Sequence, residues 1–150
     1  MESHAKILDS LAKFKKFLNE KYERGEKFFD YNSFYGPYSK IITQMRLGLS
    51  SLHSHLFAYN ISDKPFCSNC IVKTEDICHF FFKCPCYSSE RSILLDKLKL
   101  FVPDYSGISI TDLSDICLNG IDGLDYESNY NILLATGEFI MKSKRFNDMR

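Results

Sequence analysis

Apolar residues recur at helical spacing along most of this chain, and breaks in that rhythm mark its joints. From Ser3 to about Tyr22, Ile7, Leu11, Phe14 and Leu18 form a stripe that Leu8 and Phe17 widen, with Lys13, Lys15, Lys16 and Lys21 at its margins. This predicts an amphipathic helix with a solvated lysine face. Between Arg24 and Tyr38 the aromatics Phe28, Phe29, Tyr31, Phe34 and Tyr35 are interrupted by Gly25, Asn32 and Gly36-Pro37, which predicts an irregular connector packed by its rings. After Pro37, the positions Tyr38, Ile41, Ile42, Met45 and Leu49 predict a helix that Gly48 can end. Ser50 or Ser51 can cap a short successor carrying Leu52, Leu56 and Phe57. His53 and His55 stand two apart, so a helix points them to different sides, and both are expected at the polar surface.

The second half continues in the same manner. Thr74 is a candidate N-cap for a short helix to Lys83, with Glu75 and Asp76 in its first turn and Ile77, Phe80, Phe81 and Phe82 as its apolar part. Tyr87, Arg91, Leu94, Leu98 and Phe101 predict a helix that starts near Ser88 or Ser89 and is closed by Pro103. Ser109 with Asp112 fits a capping box for a helix through Leu118, with Gly120 at its end. A last helix is predicted from about Tyr126 to Phe146, with Tyr130, Leu133, Leu134, Gly137, Ile140 and Met141 facing inward. Lys142, Lys144 and Arg145 near its C-terminal end suit the helix dipole.

Between these helices lies the stretch with chemistry. Asp63-Lys-Pro65-Phe66 is turn sequence leading into Cys67-Ser-Asn-Cys70, followed by His79 and Cys84. Two cysteines separated by two residues present both sulfurs to one ion from a single tight turn, and thiolate and imidazole are the ligands that tetrahedral Zn²⁺ prefers. His79 and Cys84 are five apart and would diverge by about 140° around a straight helix, so the helix is expected to end between them. Pro85 supplies the means, because it biases Cys84 away from helical backbone. The expected set is Cys67, Cys70, His79 and Cys84, holding one structural Zn²⁺. Cys78 and Cys86 stand beside it, and a set of Cys67, Cys70, Cys84 and Cys86 is chemically possible, though it leaves His79 unused and needs a Cys-x-Cys bite.

Composition narrows the alternatives. With 150 residues and 45% apolar content, the chain can bury a core without disulfides. No apolar run approaches the roughly 20 residues of a membrane span, and the N-terminus lacks a secretory h-region. A soluble intracellular protein is expected, in nucleus or cytoplasm, with no membrane partner. There the six cysteines are reduced or metal-bound rather than paired, and a redox Cys-x-x-Cys would need a βαβ setting that this helical pattern lacks. The net charge is zero but uneven. Basic residues outnumber acidic ones nine to six in the first fifty positions and are outnumbered four to eight in the last fifty, which permits a phosphate contact near the front and middle only.

Arg46-Leu-Gly48, Leu52 with His55-Leu56, Asp63 with Pro65, Cys67-Ser-Asn-Cys70, Thr74-Glu-Asp-Ile-Cys-His79-Phe-Phe-Phe-Lys-Cys84-Pro85, then Tyr87 and Glu90-Arg91, together resemble a known segment. It is the zinc-binding region downstream of the reverse transcriptase in non-LTR retrotransposon polyproteins. The closing stretch Ile132 to Phe146 also resembles the way such polyproteins end, so the likeness covers about the second two-thirds of the chain. Cys78 before the histidine and the extra thiol Cys86 depart from the pattern. The resemblance implies a CCHC zinc knuckle on Cys67, Cys70, His79 and Cys84, a reverse transcriptase module as neighbour in a longer polyprotein, and RNA or DNA as partner.

The fold expected is mainly α: one small helical domain over 1–150 built around a single zinc knuckle. It comprises an N-terminal helical extension 1–37, a zinc-binding core at about 38–102 and a C-terminal helical part 103–150. No catalysis is expected, since there is no Tyr/Phe-x-Asp-Asp pair and no endonuclease-like set of carboxylates with a His to hold catalytic metal ions. Asp112, Asp115, Asp122 and Asp125 read as helix starts and turns. Phosphate contacts are expected at Lys40, Arg46, Lys64 and Lys83, on or beside the knuckle. The competing readings are a zinc-stabilised protein-interaction module and a relic reading frame with no selected activity.

Overall fold

The computed structural model describes residues 38–147. The expected helix over 3–22 and the rest of the extension 1–37 lie outside these residues. Five α-helices follow in order: α1 (Ser39–Arg46), α2 (His53–Ala58), α3 (Ser88–Leu98), α4 (Ile110–Asn119) and α5 (Tyr126–Ser143). Among the described residues no strand forms, and Phe66 meets Thr74 in one isolated antiparallel bridge. The fold is mainly α, as the periodicity predicts.

The core is assembled around α5, which packs against both α3 and α4, while α4 also carries α1. Being covered from two sides, α5 buries more than one stripe: Ile132, Leu133, Ala135, Thr136, Gly137, Phe139 and Ile140 are all buried. Of the inward positions predicted, Leu133, Gly137 and Ile140 fit, Tyr130 and Leu134 are half-buried, and Met141 is exposed. The Asp125 carboxylate starts the helix by accepting from the Ser128 amide at 3.0 Å. It ends at Ser143, three residues short of the predicted Phe146, because Lys144 turns left-handed at φ 59°. That turn sends Phe146 back into the core and Arg145 across to the knuckle.

Helix α4 begins and ends as predicted. The Ser109 hydroxyl accepts from the Asp112 amide at 3.1 Å. Gly120 follows the last turn at φ 75°, and a Cβ there would stand 2.5 Å from Asn129 Oδ1. Glycine is required on both counts. The Asn129 side chain fills that space, accepting from the Ile121 amide at 2.9 Å and donating to the Ile121 carbonyl at 3.1 Å.

Two features near the knuckle differ from the sequence pattern. The cap expected from Ser50 or Ser51 on α2 is replaced: Leu52 takes the cap position and the Glu75 carboxylate accepts from the His53 amide at 2.8 Å. Glu75, expected in a helical first turn, is instead buried beside Arg145, whose Nη2 donates to it at 2.7 Å and to the Ser51 carbonyl at 2.9 Å. Burial alone would raise the Glu75 carboxyl, but hydrogen bonds from Arg145 and the His53 amide, with the Arg145 charge, hold it below the ordinary value. One carboxylate thereby ties α2, the knuckle and the end of α5 together.

The aromatic centre lies next to this joint. Phe80 is fully buried and its ring meets Phe81, Phe139, Tyr87 and Phe146 at centroid distances of 5.2, 5.2, 5.3 and 5.4 Å. Most of these pairs are edge-to-face, the arrangement that ring quadrupoles favour. Phe80 follows His79 directly, so the knuckle and the helical core share a backbone segment.

Candidate metal centre

The knuckle is built by short-range hydrogen bonds. The Cys67 carbonyl accepts from the Ile71 amide at 2.8 Å and the Cys67 amide donates to the Lys73 carbonyl at 2.7 Å, which folds the Cys67–Cys70 arm back on itself. Ile71 sits in this turn at φ 67°, a backbone region that β-branched residues avoid, with its side chain largely exposed. His53, predicted at the polar surface, is half-buried, and its Nδ1 stands 2.5 Å from the Phe66 carbonyl just before Cys67.

The second arm solves the spacing problem in its own way. The predicted helix to Lys83 forms but starts at Ile77 rather than beside Thr74, because Thr74 is held in the bridge to Phe66. Asp76 takes over the capping role, its carboxylate accepting from the His79 amide at 2.7 Å. From His79 to Lys83 the chain makes one π-helical turn, closed by the Cys84 amide donating to the His79 carbonyl at 2.8 Å. A wider turn brings residues five apart closer to one face than an α-helix does. Cys84 then leaves with ψ 121° ahead of Pro85, the extended backbone the proline predicts.

These arms bring Cys67, Cys70, His79 and Cys84 together, with one ligand atom from each lying within 4.8 Å of the others. The Sγ of Cys84 is 3.9 Å from both Cys67 Sγ and Cys70 Sγ. Tetrahedral zinc with Zn–S bonds of about 2.3 Å places sulfurs about 3.8 Å apart, so the arrangement has the right scale for a metal ion. His79 adds a second observation: its Nε2 is buried and has no hydrogen-bond partner. Burial lowers the His79 pKa, against the opposing pull of Asp76 and Glu75, and so favours the neutral imidazole that coordinates metals. The Cys70 thiol is pushed up to about 11, first by lost solvation and then by the Cys84 and Cys67 sulfurs beside it. A cation at the centre of the cluster would oppose that rise at Cys70.

The remaining cysteines are elsewhere. Cys86 is exposed, Cys78 Sγ accepts from the Ser114 hydroxyl at 3.5 Å, and Cys117 is buried with its thiol pushed up to about 12 by desolvation. Neither Cys78 nor Cys86 belongs to the cluster.

One half-buried cation reaches the site from α3. Arg91 Nη2 donates to the Cys84 carbonyl at 2.6 Å and its Nε to the Phe81 carbonyl at 2.7 Å. The helical pattern placed Arg91 on α3, but nothing in its spacing pointed to this contact.

Of the residues expected to meet phosphate, Lys83 alone lies against the cluster. It lines a cavity of about 690 Å³ together with Asn69, Val72, Lys73, Pro85 and the metal-facing Cys70 and His79. Lys73, across the cavity, was not singled out by the sequence. Arg46 lines a different cavity of about 470 Å³ with Asp112 and Asp115, and its Nε donates to the Leu118 carbonyl at 2.6 Å. Lys40 and Lys64 are exposed and line neither cavity. No helix among the described residues is long and apolar enough to cross a membrane. No protein-family model, curated protein or solved structure matches the chain, and what the site does is therefore read from its geometry.

Proposed function

We propose that this chain is a non-catalytic zinc-knuckle module that binds single-stranded nucleic acid beside its metal, as the C-terminal part of a retrotransposon reverse transcriptase polyprotein. The observation that carries the metal half is the buried, partnerless His79 Nε2 within a cluster of three sulfurs. Zinc is the ion that best suits three thiolates and one imidazole in tetrahedral array, with no position left open for chemistry. Its role is to hold the Cys67–Lys73 arm, in which only Cys67 is buried, to the arm that carries His79 and Cys84.

The nucleic-acid half is supported by the cavity against the knuckle. Its size falls in the range of sites that take a small ligand, and Lys73 and Lys83 line it from separate arms. Exposed Val72 and Pro85 offer apolar surface for an unstacked base while the ammonium groups meet its phosphates. Asp76 also lines the cavity, but its carboxylate is already engaged by the His79 amide. The resemblance supplies the polymerase as the neighbouring module.

Fluorescence anisotropy with a labelled single-stranded oligonucleotide tests this reading. The zinc-loaded protein binds with affinity that falls as salt rises, and replacing Lys73 and Lys83 together by Ala flattens the slope by about 1.4 units. Zinc-loaded protein that shows no salt-sensitive binding at low ionic strength would overturn it. The second reading, a protein-interaction module, is favoured by one observation: Ile71 and Val72 project at the knuckle with more than seven-tenths of their surface exposed. Binding through such a patch is insensitive to salt.

A further inference from the structure

The setting of Arg91 is not explained by packing alone. The residue is half-buried, its guanidinium is engaged by two carbonyls, and among the described residues it has no carboxylate within ion-pair distance, the charge of the preceding Glu90 acting on it from farther away and after that of Cys84. A cation withdrawn from water needs an opposite charge nearby. The neighbouring cations have other settings: Arg145 is paired with Glu75, and Lys83 is exposed.

We infer that Arg91 is a positioning residue of the metal centre, whose counter-charge is the metal–thiolate complex itself. The inference rests on the metal reading above. Three thiolates and a neutral imidazole around a divalent ion leave one net negative charge, and Arg91 brings one positive charge to the backbone of the ligand Cys84. Its planar fork also spans the Phe81 and Cys84 carbonyls at the end of the π turn, where the Cys84 carbonyl additionally accepts from the Tyr87 amide at 3.3 Å. Fixing the Cys84 carbonyl fixes the direction from which its sulfur enters the cluster. Because Arg91 stands on α3, which packs on α5, the same contact passes metal occupancy to the helical core.

Two variants separate charge from geometry. Arg91→Gln removes the charge and the fork, whereas Arg91→Lys keeps only the charge. Zinc affinity, measured by competition with a chromophoric chelator, is expected to fall roughly 10- to 100-fold in Arg91→Gln, with Arg91→Lys between it and wild type. The thiolate-to-cobalt charge-transfer bands of the Co²⁺-loaded protein should shift in Arg91→Gln, a signature that a purely structural contact to α3 would leave in place. Lys99→Gln, at an exposed position just past α3, serves as control and should change the zinc affinity less than threefold.

A measurement on the wild type keeps the test valid if the variants fold poorly. In the zinc form the Arg91 Nε–H resonance should exchange slowly with solvent, and chelation should speed it by an order of magnitude or more. Zinc affinity within twofold of wild type in both variants, with unchanged cobalt bands, would overturn the inference alone. So would an Arg91 Nε–H that exchanges in the zinc form as an exposed arginine does. A wild-type protein that binds no metal would overturn the metal reading and this inference together.

Discussion

The helical core and the knuckle are held by different physics, although they share the segment His79–Phe80. Helices α4 and α5 have side-chain caps at Ser109 and Asp125, and α5 buries apolar residues against two neighbours. The knuckle from Cys67 to Lys73 is flanked by one bridge, Phe66 to Thr74, and has a left-handed Ile71 and two strongly exposed apolar side chains. Apart from Cys67, that stretch buries no apolar side chain to offset the conformational entropy of ordering it. A loop so composed needs a covalent or coordinate bond to persist, and the thiol and imidazole cluster provides the ligands for one. On the proposed reading, metal stabilises one region and burial the other.

The largest effect on the core side is expected from Phe80→Ala. Phe80 is fully buried and touches four rings, so its loss should cost about 3–5 kcal/mol in chemical denaturation. If burial and coordination are separable contributions, this cost is similar with and without metal. A cost seen only in the metal-loaded protein would merge the two regions into one.

A smaller effect is expected at the joint. Arg145→Met leaves the buried Glu75 carboxylate without its cation and should cost on the order of 3 kcal/mol, near the lower end for a buried pair because Arg145 is partly exposed. The pH dependence gives the sign. Glu75 is held below its ordinary value in the folded protein, so the stability it contributes is complete above the unfolded carboxyl pKa and is lost as pH falls through the lower folded value. In Arg145→Met burial dominates and raises the carboxyl, so the acid loss should begin at higher pH. Thermal melting against pH for both proteins measures this, and superimposable profiles would show that Arg145 does not set the Glu75 charge.

The same division decides what was legible in the sequence. Regions folded by local chemistry were readable: Ser109 with Asp112, Gly120, and the Cys67–Cys70 dyad with His79 and Cys84 all rest on spacing over a few residues. Regions set by long-range contact were not. Glu75 looked like a first-turn acid, yet it pairs with Arg145, seventy positions away. Helix α5 looked one-faced because periodicity cannot register a second neighbour, and its early end at Lys144 gave no signal since lysine commonly continues a helix. The π turn was half readable: five-residue spacing excluded a straight α-helix, but a widened turn and an ended one satisfy that constraint equally.

The claim that coordination holds the knuckle is tested most directly by metal analysis combined with amide hydrogen exchange before and after chelation. The account predicts one zinc per chain. On chelation, protection should be lost first at the Cys67, Ile71 and Cys84 amides, whose hydrogen bonds close the two arms, while α4 and α5 retain most of theirs and total helical signal falls. A metal-free protein with unchanged helicity, unchanged thermal stability and full protection at those three amides would contradict it.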